Sequence, residues 1–380
     1  MSDIKLTAAR LFQDAANMLE TGIVQSRARI AVTGLGSELG EKAVSAAAVA
    51  AVSKGFSVYY LGRETVSGAE NISCADEKNC GEEMAKLLNS GECDAAVTMH
   101  HAFPIGTATV GRVVTPSRGR EMYIATTTGT PAADRVESLV LGAIYGIITA
   151  KSCGIERPKV GLLNIDGARR AETALRKLGD SGFPIELAES ARADGGAIMR
   201  GNDVLLGTPD VLVCDPLTGN VLVKMLSAFN SGGERECSGY GYGPGVGRDV
   251  MHPVFIVSRA SDTPVIFNAI RYAAEVSAGG ICNIADDTLK LADKCGIMEL
   301  FKAQSEPLAA QTADIAPPER EIVTAEISGI EVTEIEDATR LLWKNGIYAQ
   351  SGMGCTGPVI MVNEKNLASA TAILRESRYI

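Results

Sequence analysis

The 380-residue chain has no run of about 18 consecutive apolar residues, so no segment of it reads as a membrane-spanning helix. Its first residues, MSDIKLTAARLFQDAANMLETG, form an amphipathic helical pattern with acids in it. They lack the basic start, apolar run and small-residue cleavage site of a secretory signal, and the expected compartment is the cytoplasm. Positive charge is not in excess: 36 Lys and Arg face 46 Asp and Glu, a formal net charge of −10. That balance argues against nucleic acid or an anionic membrane surface as a partner. Nine cysteines include no C-x-x-C, and no histidine pair follows Cys74 and Cys80, so a structural zinc site is not expected. A disulfide framework is equally unexpected in a cytoplasmic chain of this size. Only three histidines occur, and no repeat of 20–50 residues is visible.

What is present is an ordinary globular balance, 46% hydrophobic and 22% charged, in a chain long enough for two or three domains. Strand and helix patterns alternate. Residues 29–33 read as a strand, 34–40 as a turn, 41–54 as an Ala-rich helix and 56–61 as the next strand. Further strands are expected at 94–98, 159–165, 210–214 and 253–257, with helices at 137–151, 169–177 and 264–278 and a Gly-rich loop at 239–247. Such alternation favours a parallel sheet covered by helices. Residues 306–320 lack periodicity and are rich in proline, the pattern of a linker between a body at 1–305 and a small βαββα domain at 321–380.

Several stretches hold residues suited to chemistry. In Gly34-x-Gly36-x-x-x-Gly40 the glycine spacing and the Arg63 at the next strand end depart from a dinucleotide loop, which leaves a structural turn or a general anion site. His100 and His101 follow a strand, where α/β proteins place ligands, with Thr107, Thr109 and Arg112 nearby as oxyanion donors; both histidines could equally be solvated. The stretch 210–224, DVLVCDPLTGNVLVK, ends a strand in Asp215, turns through Thr218 to Asn220, and reaches Lys224 one helical turn on. That grouping suits an anion, or is a plain strand–turn–helix with Asn220 as cap. Arg259, after PVFIV and Ser258, offers a planar fork for phosphate or a surface ion pair. Last comes Ser351–Pro358, SGMGCTGP, which sets Cys355 among glycines between two strands. Turn amides there, including those beside Gly354 and Thr356, would favour a thiolate; the alternative is a small residue in a tight hairpin.

Taken together these stretches resemble a known group of proteins. KVGLLNI at 159–165 and MRGNDVLLGTPDVLVCDPLTGNVLVK at 199–224 are similar to the phosphate acyltransferase of phospholipid synthesis, and TGNVLVK with PVFIVSRAS to the phosphate acetyltransferases. With the C-terminal unit bearing SGMGCTGP, the whole chain resembles the alpha subunits of component C of the glycine/sarcosine/betaine reductase complexes. The resemblance implies an α/β fold like isocitrate/isopropylmalate dehydrogenase, with two subdomains and a cleft. It also implies release of acetyl phosphate from an acetyl thioester on Cys355, with no cofactor and inorganic phosphate as substrate. Asn220, Lys224, Ser258 and Arg259 would bind phosphate or the acyl oxygen. The partners implied are a ketoacyl-synthase-like component C beta subunit and the selenoprotein component of the reductase. One departure stands out: where the acetyltransferases carry an aspartate six residues past the arginine, this chain has Val265. Two alternatives remain, a phosphate acyltransferase acting alone and a scaffold subunit without chemistry.

Overall fold

The computed structural model describes residues 28–191, 195–248, 250–305, 315–330, 334–354, 357–377 and 379–380. The expected N-terminal helix, and residues 306–314 of the expected linker, lie outside these. The chain divides into two compact units, Met1–Asp134 with Leu141–Leu163 and Ile185–Leu291, and Arg135–Val140 with Asn164–Pro184 and Ala292–Ile380.

The first unit is a mixed α/β structure around a 12-stranded sheet. Its strands are β1 (Arg29–Thr33), β2 (Ser57–Gly62), β3 (Glu70–Ser73), β4 (Ala95–Thr98), β5 (Thr107–Val114), β6 (Glu121–Thr130), β7 (Lys159–Leu163), β8 (Glu186–Leu187), β9 (Ile198–Met199), β10 (Val211–Val213), β11 (Gly243–Gly247) and β12 (Val254–Ile256). The helices up to residue 305 are α1 (Glu41–Ser53), α2 (Glu77–Asn89), α3 (Arg135–Ser152), α4 (Ala168–Asp180), α5 (Gly201–Leu206), α6 (Pro216–Ala228), α7 (Thr263–Ala278), α8 (Ile281–Lys294) and α9 (Ile297–Ser305); of these α4 and α9 belong to the second unit, and α3 and α8 are divided between the two. Ile30, Ala31 and Val32 of β1 are wholly buried, as continuous apolar runs are in sheets covered on both faces. Helix α1 forms because its alanines favour helix, and it buries Val44, Ala47, Ala48 and Ala51 along one face.

The sheet order is β3-β2-β1-β4-β12-β11-β5-β6-β10-β7-β8, with β9 beside β7. β1, β2, β3, β4 and β12 run parallel to one another, as do β6, β10, β7, β8 and β9. Between the two sets, β11 is antiparallel to β12 and β5, and β5 is antiparallel to β6. Three reversals make the two sets run in opposite directions. Helix α6 leaves the carboxyl end of β10 and returns along β6, which carries its far end toward the carboxyl ends of β4 and β12.

Two expectations need correction here. The Gly-rich stretch 239–247 is not a loop throughout, because Gly243–Gly247 is strand β11. Glycine serves there because the backbone packs too closely for side chains. Gly243 has φ +81°, and a Cβ on it would come within 1.7 Å of the Val110 carbonyl oxygen. We expect Gly243→Ala to destabilise the protein by at least about 2 kcal/mol, from overpacking and left-handed backbone strain, read as a lower denaturation midpoint in urea. Likewise Thr107, Thr109 and Arg112 are not oxyanion donors at a strand end. They lie inside the β5–β6 hairpin, which the sequence pattern did not reveal. Thr109 is spent on Thr127 at 2.6 Å. Arg112 is buried against the Tyr123, Tyr240 and Tyr272 rings and paired with Glu121 and Glu275.

In the second unit the C-terminal residues form β13 (Ala325–Ser328), α10 (Ile335–Lys344), β14 (Ala349–Gly354), β15 (Gly357–Val362) and α11 (Leu367–Glu376). The strands pair in the order β13-β15-β14, antiparallel throughout. Ile327, Ala349, Ile360 and Val362 of the sheet pack with Ala338 and Leu342 of α10 and Ala370 and Leu374 of α11. Asn363 caps a short 3-10 turn ahead of α11 rather than the helix itself. In the β14–β15 register Gly354 stands opposite Gly357. Cys355 and Thr356, between them, lie outside the described residues.

Candidate functional site

The site is built where α6 meets the loop that leaves β12. Helix α6 starts at Pro216, a residue suited to the first turn, and Asp215 caps it by accepting from the Thr218 amide at 3.0 Å and from the Thr218 hydroxyl. Thr218–Asn220 is thus helix, not turn, and the cap is Asp215, not Asn220. Gly219 lies on the Thr126 carbonyl, where a Cβ would fall within 1.8 Å of the oxygen, so α6 rides close on β6. Asn220 Nδ2 then donates to the Thr127 carbonyl at 3.3 Å. Lys224 stands nine residues beyond Asp215, about 13 Å along the axis. The carboxylate and the ammonium expected around one strand end are therefore nine residues of helix apart.

Lys224 Nζ donates to Ser258 Oγ at 2.9 Å and pairs with Glu236 Oε1 at 2.7 Å. Ser258 Oγ also accepts from the Ala260 amide at 3.1 Å. Both of those donors are acceptor-free groups, so the Ser258 hydroxyl hydrogen must point elsewhere, and no acceptor meets it among the described residues. The ammonium likewise keeps one N–H without a described partner. Two donors thus stand side by side with unspent hydrogens, the elementary requirement for holding an oxyanion.

Arg259, the next residue, turns its fork away. Its NH1 donates to the Gly36 carbonyl at 2.9 Å and to Glu77 Oε1 at 3.1 Å, and its NH2 to Glu77 Oε2 at 2.6 Å. The Arg259 guanidinium holds the Glu77 carboxyl below the usual carboxylate range, and the nearby His100 adds to this. His100 is exposed after β4, its carbonyl accepting from the Thr98 hydroxyl at 3.3 Å. His101 lies edge-on to Phe103, ring centroids 4.8 Å apart, and loss of solvent around its ring, then His100, lower its pKa. In the Gly34–Gly40 loop the Gly34 and Glu38 amides are spent on the Leu61 and Arg259 carbonyls at 2.7 and 2.8 Å.

One residue was missed by sequence reasoning. Glu236 is wholly buried and accepts from Lys224, from the Tyr242 hydroxyl at 2.9 Å and from the Ser261 hydroxyl at 2.9 Å. The only signal was an acid inside a Gly-rich stretch carrying two tyrosines, which names no partner. The acids and apolar residues after Arg259 are occupied: Val265 is wholly buried in α7, while Asp262 caps α7 and pairs with Arg235 at 2.8 Å. In the stretch 199–224, Asp203 is buried. Burial would raise its pKa, but bonds from the Ala191 and Arg200 amides and the Ser190 and Thr208 hydroxyls leave it lowered. Its part is to anchor α5.

Six of the described cysteines are held as neutral thiols by burial. Burial pushes Cys80 and Cys93 up to about 12 and Cys153 to about 11, and raises Cys74, Cys214 and Cys282 as well. Among the described residues no cluster of His, Cys, Asp and Glu is arranged to hold a metal ion, and no helix is long and apolar enough to cross a membrane.

The profile of a family described as "Fatty acid synthesis protein" matches residues 28–361. The chain is 47% identical, over 99% of both lengths, to a glycine/sarcosine/betaine reductase complex component C subunit alpha from Peptoclostridium acidaminophilum. It is 33% identical to a phosphate acyltransferase from Thermotoga maritima over 40% of this chain and 49% of that protein. Among solved structures, a branched-chain phosphotransacylase from Enterococcus faecalis aligns with a TM-score of 0.46 at 17% identity, over 65% of this chain and 99% of that one.

Proposed function

This chain belongs to the fatty acid synthesis protein family, and within it to the alpha subunits of component C of glycine/sarcosine/betaine reductase, and from that premise we propose that it transfers an acetyl group from a Cys355 thioester to inorganic phosphate. The observation that carries the reading is the Lys224–Ser258 pair, two donors 2.9 Å apart with hydrogens still to give.

A phosphate oxygen attacks the thioester carbonyl carbon, the tetrahedral intermediate collapses, the carbon–sulfur bond breaks, and Cys355 leaves as thiolate with acetyl phosphate as product. Phosphate is anionic at neutral pH, so no base is required. That accords with Val265 standing where a base would be sought. Lys224 and Ser258 hold the phosphate and in-line geometry supplies much of the rate. Asn220 lies one turn back on α6, and Arg259 joins when its fork is released from Glu77. The acetyl group arrives from partners, a component C beta subunit and the selenoprotein component of the reductase. No cofactor beyond phosphate takes part.

Glu77 then competes with phosphate for Arg259. An exposed ion pair of this kind is worth about 0–1 kcal/mol, so Glu77→Gln is expected to lower the KM for phosphate by up to about fivefold with kcat little changed. An unchanged or raised KM would mean that Arg259 does not serve the phosphate.

The test of the function is arsenate-dependent breakdown of acetyl phosphate by wild type and Cys355→Ser. Arsenate replaces phosphate and its acyl adduct hydrolyses, so the assay reports reversible transfer to the enzyme. Full activity in the variant would sink the thioester and leave direct acyl transfer at the Lys224–Ser258 pair.

A further inference from the structure

The Lys224–Ser258 pair does not stand by itself; a buried carboxylate lies behind it. Glu236 is 0% exposed, while Lys224, with which it pairs, is 46% exposed. Burying a carboxylate is costly unless every lone pair facing inward is met. Here Oε1 meets the Lys224 ammonium and the Tyr242 hydroxyl, and Oε2 meets the Ser261 hydroxyl. Ser261 Oγ in turn accepts from the Ser258 amide at 3.0 Å. Burial first, and the Glu236 carboxylate second, push the Tyr242 phenol far above its ordinary range, so it remains a donor. Every hydrogen bond in this chain therefore has one direction. Tyr242 and Ser261 give to Glu236, Lys224 gives to Glu236 and Ser258, and Ser258 has only the outside left to give to.

The backbone of Glu236 is held independently of this. Its amide donates to the Ala260 carbonyl at 3.0 Å and its carbonyl accepts from the Asp262 amide at 2.8 Å, a parallel bridge to Ser261. The loop that carries Glu236 is thus fixed by main-chain bonds, and the side chain is available for another purpose. Lysine has four rotatable bonds and no fixed donor geometry, so a half-exposed ammonium needs a partner to stay in one place.

We propose that Glu236 is the positioning residue of this seat: without touching substrate, it holds the Lys224 ammonium against Ser258 so that both donate outward to bound phosphate. The inference rests on reading the Lys224–Ser258 pair as the phosphate seat, and it names the group on which that seat depends. Glu236→Gln keeps the shape and can still accept from Lys224 and Tyr242, but removes the charge that pins the ammonium.

The experiment is calorimetric titration of the full chain with inorganic phosphate, for wild type, Glu236→Gln, Lys224→Met and the double variant, with thermal unfolding and arsenolysis run alongside. Glu236→Gln is expected to weaken phosphate binding at least tenfold while unfolding cooperatively. In the Lys224→Met background the same change is expected to have no further effect on binding, because its route is gone. A merely structural carboxylate would lower stability and add its cost in both backgrounds, and that additivity would overturn the proposal, as would wild-type binding by Glu236→Gln. If Glu236→Gln does not fold, Tyr242→Phe removes one donor from Oε1 without changing charge. It should weaken phosphate severalfold, and unchanged binding would again overturn the proposal. Wild type that binds phosphate but does not break down acetyl phosphate would refute the acetyl-transfer reading and leave the role of Glu236 standing. Wild type that binds no phosphate would refute both.

Discussion

Arsenate-dependent breakdown of acetyl phosphate is expected to fall by on the order of a thousandfold or more when Cys355 is replaced by serine, because removal of a covalent nucleophile removes the whole route it serves. The reason is chemical. A thiol with a modestly lowered pKa is ionised near neutral pH and is both a good nucleophile and a good leaving group. A serine hydroxyl at the same place ionises far less and leaves far worse. The change alters one atom, so the variant's thermal unfolding should match wild type to within about 0.5 kcal/mol. The covalent intermediate gives an independent reading. Wild type incubated with acetyl phosphate should carry an acetyl group on the peptide containing Cys355, labile to hydroxylamine, and the variant should carry none. Acetylation found instead on another cysteine would displace Cys355 from the mechanism. Six of the described cysteines are poor competitors, since burial raises the pKa of Cys74, Cys80, Cys93, Cys153, Cys214 and Cys282.

Lys224→Met is the second large effect. Loss of one preorganised donor at a developing oxyanion typically costs about a hundredfold to a thousandfold in rate, and a loss in that range is expected here, with a higher KM for phosphate. Stability should fall too. Methionine fills the space of the lysine stem but leaves Glu236 as a buried carboxylate without its cation, and breaking a buried pair from one side costs about 3–5 kcal/mol. Because Lys224 is half exposed and Tyr242 and Ser261 still donate, the lower end of that range is the upper bound expected. Adding Glu236→Gln to Lys224→Met should restore most of the lost stability and none of the activity. Activity that returns with stability would mean that Lys224 acts only as architecture.

The site and the fold were legible in the sequence to different degrees. The βαβ alternation through residues 29–62 showed because parallel strands buried on both faces are continuous apolar runs, bounded by turns and Ala-rich helix. Asp215, Asn220, Lys224, Ser258 and Arg259 were all found as residues. Their grouping was not. Pattern alone placed Asp215 with Lys224, because they are near in sequence, whereas nine residues of helix separate the cap from the lysine in α6. The β5–β6 hairpin was invisible because its run TATVGRVV followed by EMYIATTTGT is buried at nearly every position, so no alternation marks it. β11 hid for the opposite reason, since GPGVG reads as a loop wherever close backbone packing cannot be foreseen.

By itself, then, the sequence determined the βαβ elements of residues 29–62, the family, the absence of a long apolar span and the residue types available for phosphate, because these depend on periodicity and on motifs contiguous in the chain. Tertiary structure alone decided which residues meet. The three strand reversals around β11 and β5 set the two halves of the sheet in opposite directions, and α6 crosses between them to bring Lys224 to Ser258, 34 residues away in sequence. It also decided that Arg259 faces Glu77, 182 residues earlier, and that Glu236 is wholly buried behind the lysine. A buried carboxylate is stable only where donors converge on it from several elements, and convergence of that kind is a property of the folded chain, not of any window along it.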